Sequence, residues 1–132
     1  VTHAEIKQAI RRRFNAEIGV TRDVKVQYGD HPFERPEALW VRCTLQFGES
    51  RQVETGGTKR QRVTGLIVAQ VFDPVNEGDA DATEMADWIA AAFRAVSANQ
   101  VTYQMPRIEE RGRDQNEWQI DVICPFYSDE VS

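Results

Sequence analysis

The sequence predicts an α+β domain: a mostly antiparallel sheet with two helices packed on one face and a long projecting β-hairpin. Three observations predict it. Two stretches, around residues 6–14 and 85–96, repeat apolar residues at helical spacing. Several stretches alternate apolar and polar residues as half-buried strands do. Between two of these strands, residues 48–64 carry only Val53 and Val63 as apolar side chains and a Gly-Gly pair in the middle. The links between elements are short, which suits antiparallel neighbours. With 132 residues and 15.1 kDa, the chain is expected to form one domain over 1–132.

The first helix is predicted from Thr2 and Glu5, which fit a capping box, and from the stripe of Ile6, Ala9, Ile10 and Phe14. Lys7, Gln8, Arg11 and Arg12 fill the other side, and Gly19 is placed to stop the helix. Val24, Val26 and Tyr28 then alternate with Lys25 and Gln27 as a strand. Gly29 to Pro36, with two prolines, reads as a loop. Leu39, Val41, Cys43, Leu45 and Phe47 form the apolar face of a second strand.

Gly56 and Gly57 mark the tip of the hairpin in 48–64, because glycine accepts the positive φ of tight turns. So polar a hairpin gains little from a core and is expected to project. Gly65 to Phe72 is apolar on both faces, which requires a central strand or a second chain over one face. Asp73-Pro74 ends it, and 76–81 turns into a second helix with the stripe Met85, Ala86, Ile89, Phe93 and Val96. Asp79, Asp81 and Glu84 suit the positive end of its dipole. Two closing strands follow, one with Val101, Tyr103 and Met105, the other with Trp118, Ile120, Val122 and Cys124. Glu109 to Asn116 reads as a polar connection, Pro125 as the end of the last strand and the residues after Tyr127 as an acidic tail.

Hydrophobic residues make up 41% of the chain and charged residues 28%, a globular composition rather than a disordered one. Sixteen basic residues against 21 acidic ones give a net charge of -5, which disfavours a general or sequence-specific nucleic-acid binder. No apolar run approaches the roughly 20 residues of a membrane span, so no membrane partner is expected. Residues 1–14 lack the apolar core of a signal peptide, and two cysteines are too few for a disulfide scaffold, so the chain is expected to fold in the cytoplasm.

Candidate chemistry is sparse. With Asp73 as position one of a calcium loop, Gly78, Asp81 and Glu84 fall at six, nine and twelve, but Val75 stands where an oxygen ligand is required. A helix start decorated with acids explains the segment without an ion. A small metal-dependent enzyme on Asp73, Asp79, Asp81 and Glu84 is the alternative of another class. His3 and His31 have no partner in a ligand or nucleophile spacing. Cys43 and Cys124 sit on the apolar phase of their strands, and a disulfide between them requires neighbouring strands. Gly56-Gly57-Thr58-Lys59 lacks the spacing of a phosphate loop. No catalytic, metal or cofactor residue is assigned. Arg11, Arg12 and Arg13 read as the solvated edge of the first helix. Glu49, Arg51, Glu54, Lys59, Arg60 and Arg62 put mixed charge on the hairpin, the pattern of a protein interface rather than a nucleic-acid grip.

Several blocks carry a family resemblance: Thr2-His3-Ala4-Glu5-Ile6-Lys7, Phe47-Gly48-Glu49-Ser50-Arg51-Gln52, Gly65 to Phe72, Trp118 to Val122, and Cys124-Pro125-Phe126-Tyr127. Together they resemble the tail terminator (minor tail protein U-like) proteins of long-tailed phages and prophages. The resemblance implies a structural, non-enzymatic protein without cofactors that forms a ring, usually a hexamer. Such a ring caps the tail tube and docks on the head connector. The implied partners are its own copies, the tail tube protein and the head-tail connector protein. The implied location is the host cytoplasm during assembly, then the virion tail. Other neck or tail-completion proteins share this size and α+β pattern and remain the alternative within the class.

Overall fold

In the computed structural model, which describes residues 3–29, 38–48, 51–55, 58–74, 80–94, 97–98, 101–114 and 117–131, helix α1 is His3–Phe14. Thr2 of the expected capping box lies outside the described residues. Gly19 does not stop the helix. A π-helical segment, Asn15–Val20, carries straight on from Phe14. Its cause is visible in the buried residues Ile6, Ile10, Phe14 and Ile18, spaced by four throughout. Steps of four drift about 40° each around an α-helix, and one wider π turn brings Ile18 back toward the stripe. The chain leaves at Asp23, whose φ of 51° is a left-handed conformation that Asp tolerates better than most residues.

Strand β1 is Lys25–Tyr28 and β2 is Trp40–Phe47. They pair in parallel, the one parallel pair among the described strands, and the loop expected over 29–36 falls mostly outside the described residues. Strand β3 is Arg51–Thr55 and β4 is Thr58–Asp73. The second hairpin arm and the apolar 65–72 stretch are therefore one continuous 16-residue strand. Helix α2, Ala80–Phe93, buries Ala82, Met85, Ala86, Ile89, Ala90 and Phe93; Val96 of the expected stripe lies outside the described residues. Strands β5 (Ser97–Ala98), β6 (Val101–Tyr103), β7 (Arg107–Asp114) and β8 (Glu117–Val131) complete the fold.

The sheet order is β1-β2-β4-β8-β6-β5, with β3 on β4 beyond the end of β2 and β7 on β8 beyond the end of β6. β4 is central, flanked along its edges by β2 and β8; on its face away from the helices Leu66 is exposed and Val68 half-buried. One face carries Val41 and Cys43 from β2, Ile67, Ala69 and Val71 from β4, and Ile120, Val122, Cys124 and Phe126 from β8. These residues join the buried stripes of α1 and α2 in one core, so both helices lie on this face. Phe93 anchors it: its ring lies 5.8 Å from Phe14 and 5.0 Å, edge-on, from Tyr103.

Three strand expectations need correction. Of the connection expected over Glu109 to Asn116, residues 109–114 are not a loop, because 107–114 pairs with β8. An edge strand needs only its backbone to pair, and its side chains can stay polar. A register shift between Glu110 and Gly112, with Gly112 at φ 81°, accommodates one extra residue as a bulge. Nor does Pro125 end β8, which runs six residues further to Val131. The Pro125 carbonyl accepts a hydrogen bond from the Gln104 amide at 2.9 Å, so the missing N–H also points to that side. There the β7 register has ended at Ile123 and the β6 register begins at Phe126, so no ladder bond is lost. Met105, expected on the buried phase of its strand, lies beyond β6 and is 61% exposed. Among the described residues no helix is long and apolar enough to cross a membrane.

Candidate functional site

The described strands of the polar 48–64 segment, 51–55 and 58–64, form a ribbon, and 60–62 have partners on both sides. Residues 58–62 pair with β3, from Thr55 opposite Thr58 to Arg51 opposite Arg62. Residues 60–64 pair on the other side with the end of β8, from Arg60 opposite Val131 to Thr64 opposite Tyr127. The expected acidic tail is therefore the third strand of the ribbon. Gly56, Gly57 and Glu49 lie outside the described residues. Arg51, Glu54, Lys59 and Arg60 stand on the paired strands β3 and β4.

Arg62 shows how the ribbon is fastened. Its Nε and Nη2 donate to the two carboxylate oxygens of Asp129 at 2.8 and 3.1 Å, a bidentate pair. The guanidinium also lies 4.3 Å from the centre of the Tyr127 ring. The hydrogen bond to Asp129 raises the Arg62 pKa further above its usual value. Beside this pair, at the junction of ribbon and sheet, is a cavity of about 450 Å³ lined by Gln46, Thr64, Leu66, Pro125 and Tyr127. Gly65 belongs to the same junction: a Cβ there would stand 2.6 Å from the Gln46 carbonyl oxygen and 2.6 Å from the Phe126 ring.

The sheet face away from the helices carries two further clusters. Along β7 and β8, Arg111 bonds Asp121 at 2.8 Å and Glu109 at 3.5 Å, and Arg107 bonds Glu109 at 3.1 Å. Gln119 donates to the second oxygen of the buried Asp121. At the start of β2, Trp40 stacks on Phe72 at 4.5 Å between centroids, with Arg42 within 5.4 Å of both rings. Trp40 is only 2% exposed although its strand phase is the polar one, a packing the alternation does not reveal.

Other residues singled out by sequence prove structural. Arg13 does not lie on a solvated edge. Its Nε and Nη2 donate to the Ala92 carbonyl at 3.1 and 2.6 Å, capping the end of α2. Arg11 is half-buried near Gly29, while Arg12 is exposed. His3 stacks on Phe47 at 4.4 Å, and His31 lies outside the described residues. Cys43 and Cys124 are buried free thiols on β2 and β8, and β4 lies between those strands. Burial pushes the Cys43 thiol up to about 12 and the Cys124 thiol up to about 11, so neither is nucleophilic near neutrality.

Of the acids at the second helix, Asp73 is buried at the end of β4, Asp81 and Glu84 are exposed on α2, and Asp79 lies outside the described residues. Among the described residues no three His, Cys, Asp or Glu side chains gather as metal ligands would. Near Asp81 and Glu84 is a cleft of about 320 Å³, where Arg22 lies 3.8 Å over the Trp88 ring.

Comparison with known proteins adds to this geometry. One solved protein structure superposes with a TM-score of 0.74 over 100% of this chain and 96% of its own, at 13% identity, a likeness of fold. A search of curated proteins finds no match. A family model described as phage tail terminator protein matches residues 5–126. The match spans α2, α1 from Glu5 on and all of the sheet except the last residues of β8, so the chain belongs to the phage tail terminator family and is a structural protein of a phage tail.

Proposed function

We propose that the chain, acting as one domain over 1–132, is a ring-forming tail terminator that caps the tail tube and joins it to the head connector. The family match over residues 5–126 carries this reading. In the ring, a hexamer, each copy offers two different surfaces to its neighbours, a heterologous contact closed by rotation. The polar ribbon is one of these surfaces, with Glu49, Arg51, Glu54, Lys59, Arg60 and Arg62 facing a neighbouring copy or the tube. Assembly takes place in the host cytoplasm, and the ring then stays in the virion tail. The protein works without a cofactor and makes no covalent bond.

Addition of the purified chain to polymerising tail tube protein tests the proposal. A terminator halts tube growth and is found at one tube end by electron microscopy. A neck or tail-completion protein that acts only at the head side leaves tube length unchanged. Light scattering of the free chain at rising concentration reads the ring itself.

A further inference from the structure

Both helices cover one face of the sheet, and among the described residues no layer covers the other. Toward β7 and β8 the arginines of this bare face are already bonded to carboxylates: Arg62 to Asp129, Arg107 to Glu109 and Arg111 to Asp121. The corner formed by β1, β2 and residues 64–72 differs. Its described side chains on this face include two cations, Lys25 and Arg42, and no acid. Arg42 is half-buried there. Its Nε donates to the neutral Gln27 Oε1 at 3.1 Å, and its guanidinium lies 5.4 and 5.3 Å from the centres of the stacked Trp40 and Phe72 rings. Among the described residues no carboxylate bonds it. Beside it is a cavity of about 420 Å³ lined by Gln27, Gly29, Arg42 and Thr44. A guanidinium held in one plane, with its Nη donors left over, matches a carboxylate.

The opposite side of the molecule carries the complement. Helix α2 turns its buried stripe to the core, so its exposed side, with Asp81, Glu84, Asp87 and Ala91, is an outer surface. No basic residue lies within the helix. Arg22 lies over Trp88 beside this row, yet none of the three acids is ion-paired to a described residue. The spacing of charge and apolar surface is similar on the two sides. On the sheet, Gln70 is opposite Arg42 and exposed Leu66 stands four residues along β4, about 13 Å away at 3.3 Å per residue. On α2, Ala91 stands seven residues after Glu84, about 10 Å away at 1.5 Å per residue.

We infer that the bare sheet face of one copy receives the outer side of α2 of the next, with Arg42 against the Asp81, Glu84 and Asp87 row and Leu66 against Ala91. This contact rests on the ring reading above and gives that reading two different surfaces. Sheet against helix is a head-to-tail contact, the kind that closes into a ring. It also gives the sheet a helix layer on each face, a stable layer arrangement. Opposite charge fixes the register and rejects helix against helix, where the acids of two copies would meet. The ribbon continues the same sheet and so lies on the sheet side of the contact.

Charge exchange in the full-length chain tests this. Arg42→Glu alone, and Glu84→Arg alone, should each raise the concentration at which the oligomer forms by about tenfold or more, read by light scattering. One chain carrying both substitutions should recover it. A thermal melt of each variant checks folding. A second measurement leaves all the charges in place: a chain with Gln46→Cys, at an exposed position opposite Leu66, is mixed with a chain with Ala91→Cys and oxidised. A cross-linked dimer forms in the mixture above the level of either chain alone, and the buried native thiols do not compete. An oligomer indifferent to Arg42→Glu, a loss that Glu84→Arg does not reverse, or an oligomer without this cross-link overturns the contact and leaves the ring intact. Arg42→Glu that spares the oligomer but stops tube capping overturns it too, because the site then faces another tail protein. A chain that neither self-associates nor halts tubes overturns the ring reading and this contact with it.

Discussion

The two ends of β4 are the same strand held by different means. From 65 to 72 it lies between β2 and β8 with a helix-covered core on one face, where Ile67, Ala69 and Val71 are at most 1% exposed. From 60 to 62 it lies between β3 and the end of β8, and the described side chain there, Arg62, is tied by an ion pair. The core end is stabilised by burial, which grows with apolar area. The ribbon end gains a backbone ladder and charge pairs, which are worth little on an exposed surface. A strand built this way can keep its core fixed while its polar end varies to suit a partner. Mutations should therefore separate the ends: core changes cost stability, and ribbon changes cost assembly.

The largest effect is expected at Phe93. Its ring joins α2 to Phe14 of α1 and Tyr103 of β6, and it supports Arg13 at 5.6 Å. Phe93→Ala removes a fully buried ring and should cost about 4 kcal/mol by chemical denaturation. A loss under about 1 kcal/mol would mean that the core end is not what holds the fold.

Alkaline pH gives the second test. The Cys43 thiol is raised to about 12 by burial, against an ordinary value of 9.0. Between those values the unfolded chain loses the proton and the folded chain keeps it, so stability falls as pH rises. Below about 9 the contribution is fully present. Tyr103, raised to about 12 by burial from 10.0, adds to the same fall over the upper part of the range. Cys43→Ala should flatten the slope of unfolding free energy between pH 9 and 12; an unchanged slope would place Cys43 in water.

Gly65 marks the border between the two ends. An alanine Cβ would press on the Gln46 carbonyl, which is backbone and cannot swing away, as well as on Phe126. Gly65→Ala should cost about 2 kcal/mol, the size of a typical overpacking penalty. Gly112 at the bulge is a control with open space around it and φ 81°. Gly112→Ala strains only the backbone, about 1 kcal/mol.

The core end was legible in the sequence because burial writes itself as periodicity. The stripes of α1 and α2 and the two apolar faces around 65–72 are present in the order of side chains, and they placed both helices and the central strand. The ribbon and edge strands were less legible for the opposite reason. Backbone pairing leaves no pattern, so β7 from Glu109 onward reads as a polar connection, and β8 reads as ending at Pro125. The basic residues of the candidate site were visible, Arg62 among them. Its partner was not, because Asp129 is 67 residues away and only the register of β4 and β8 brings them together. The π turn was hidden too, since a spacing of four from Ile6 to Ile18 looks like ordinary helix until Gly19 is passed.

The smallest effect on stability, and the sharpest test of the division, is Arg62→Gln. The Arg62 and Asp129 side chains are 32% and 26% exposed, so water can replace much of what the pair provides. Gln cannot reproduce the bidentate geometry or the charge over Tyr127, yet the backbone partners of residue 62 on β3 and β8 remain. The thermal midpoint should therefore stay within the scatter of the measurement. Assembly should still suffer, because the ribbon loses the contact that fixes its third strand at the junction with the sheet. If the melting temperature drops as far as it does for Gly65→Ala, the ribbon is part of the folding unit and the two ends of β4 are not separable. If melting and assembly are both unchanged, the Arg62–Asp129 pair orders nothing that a partner reads, and the ribbon's role rests on its other charges.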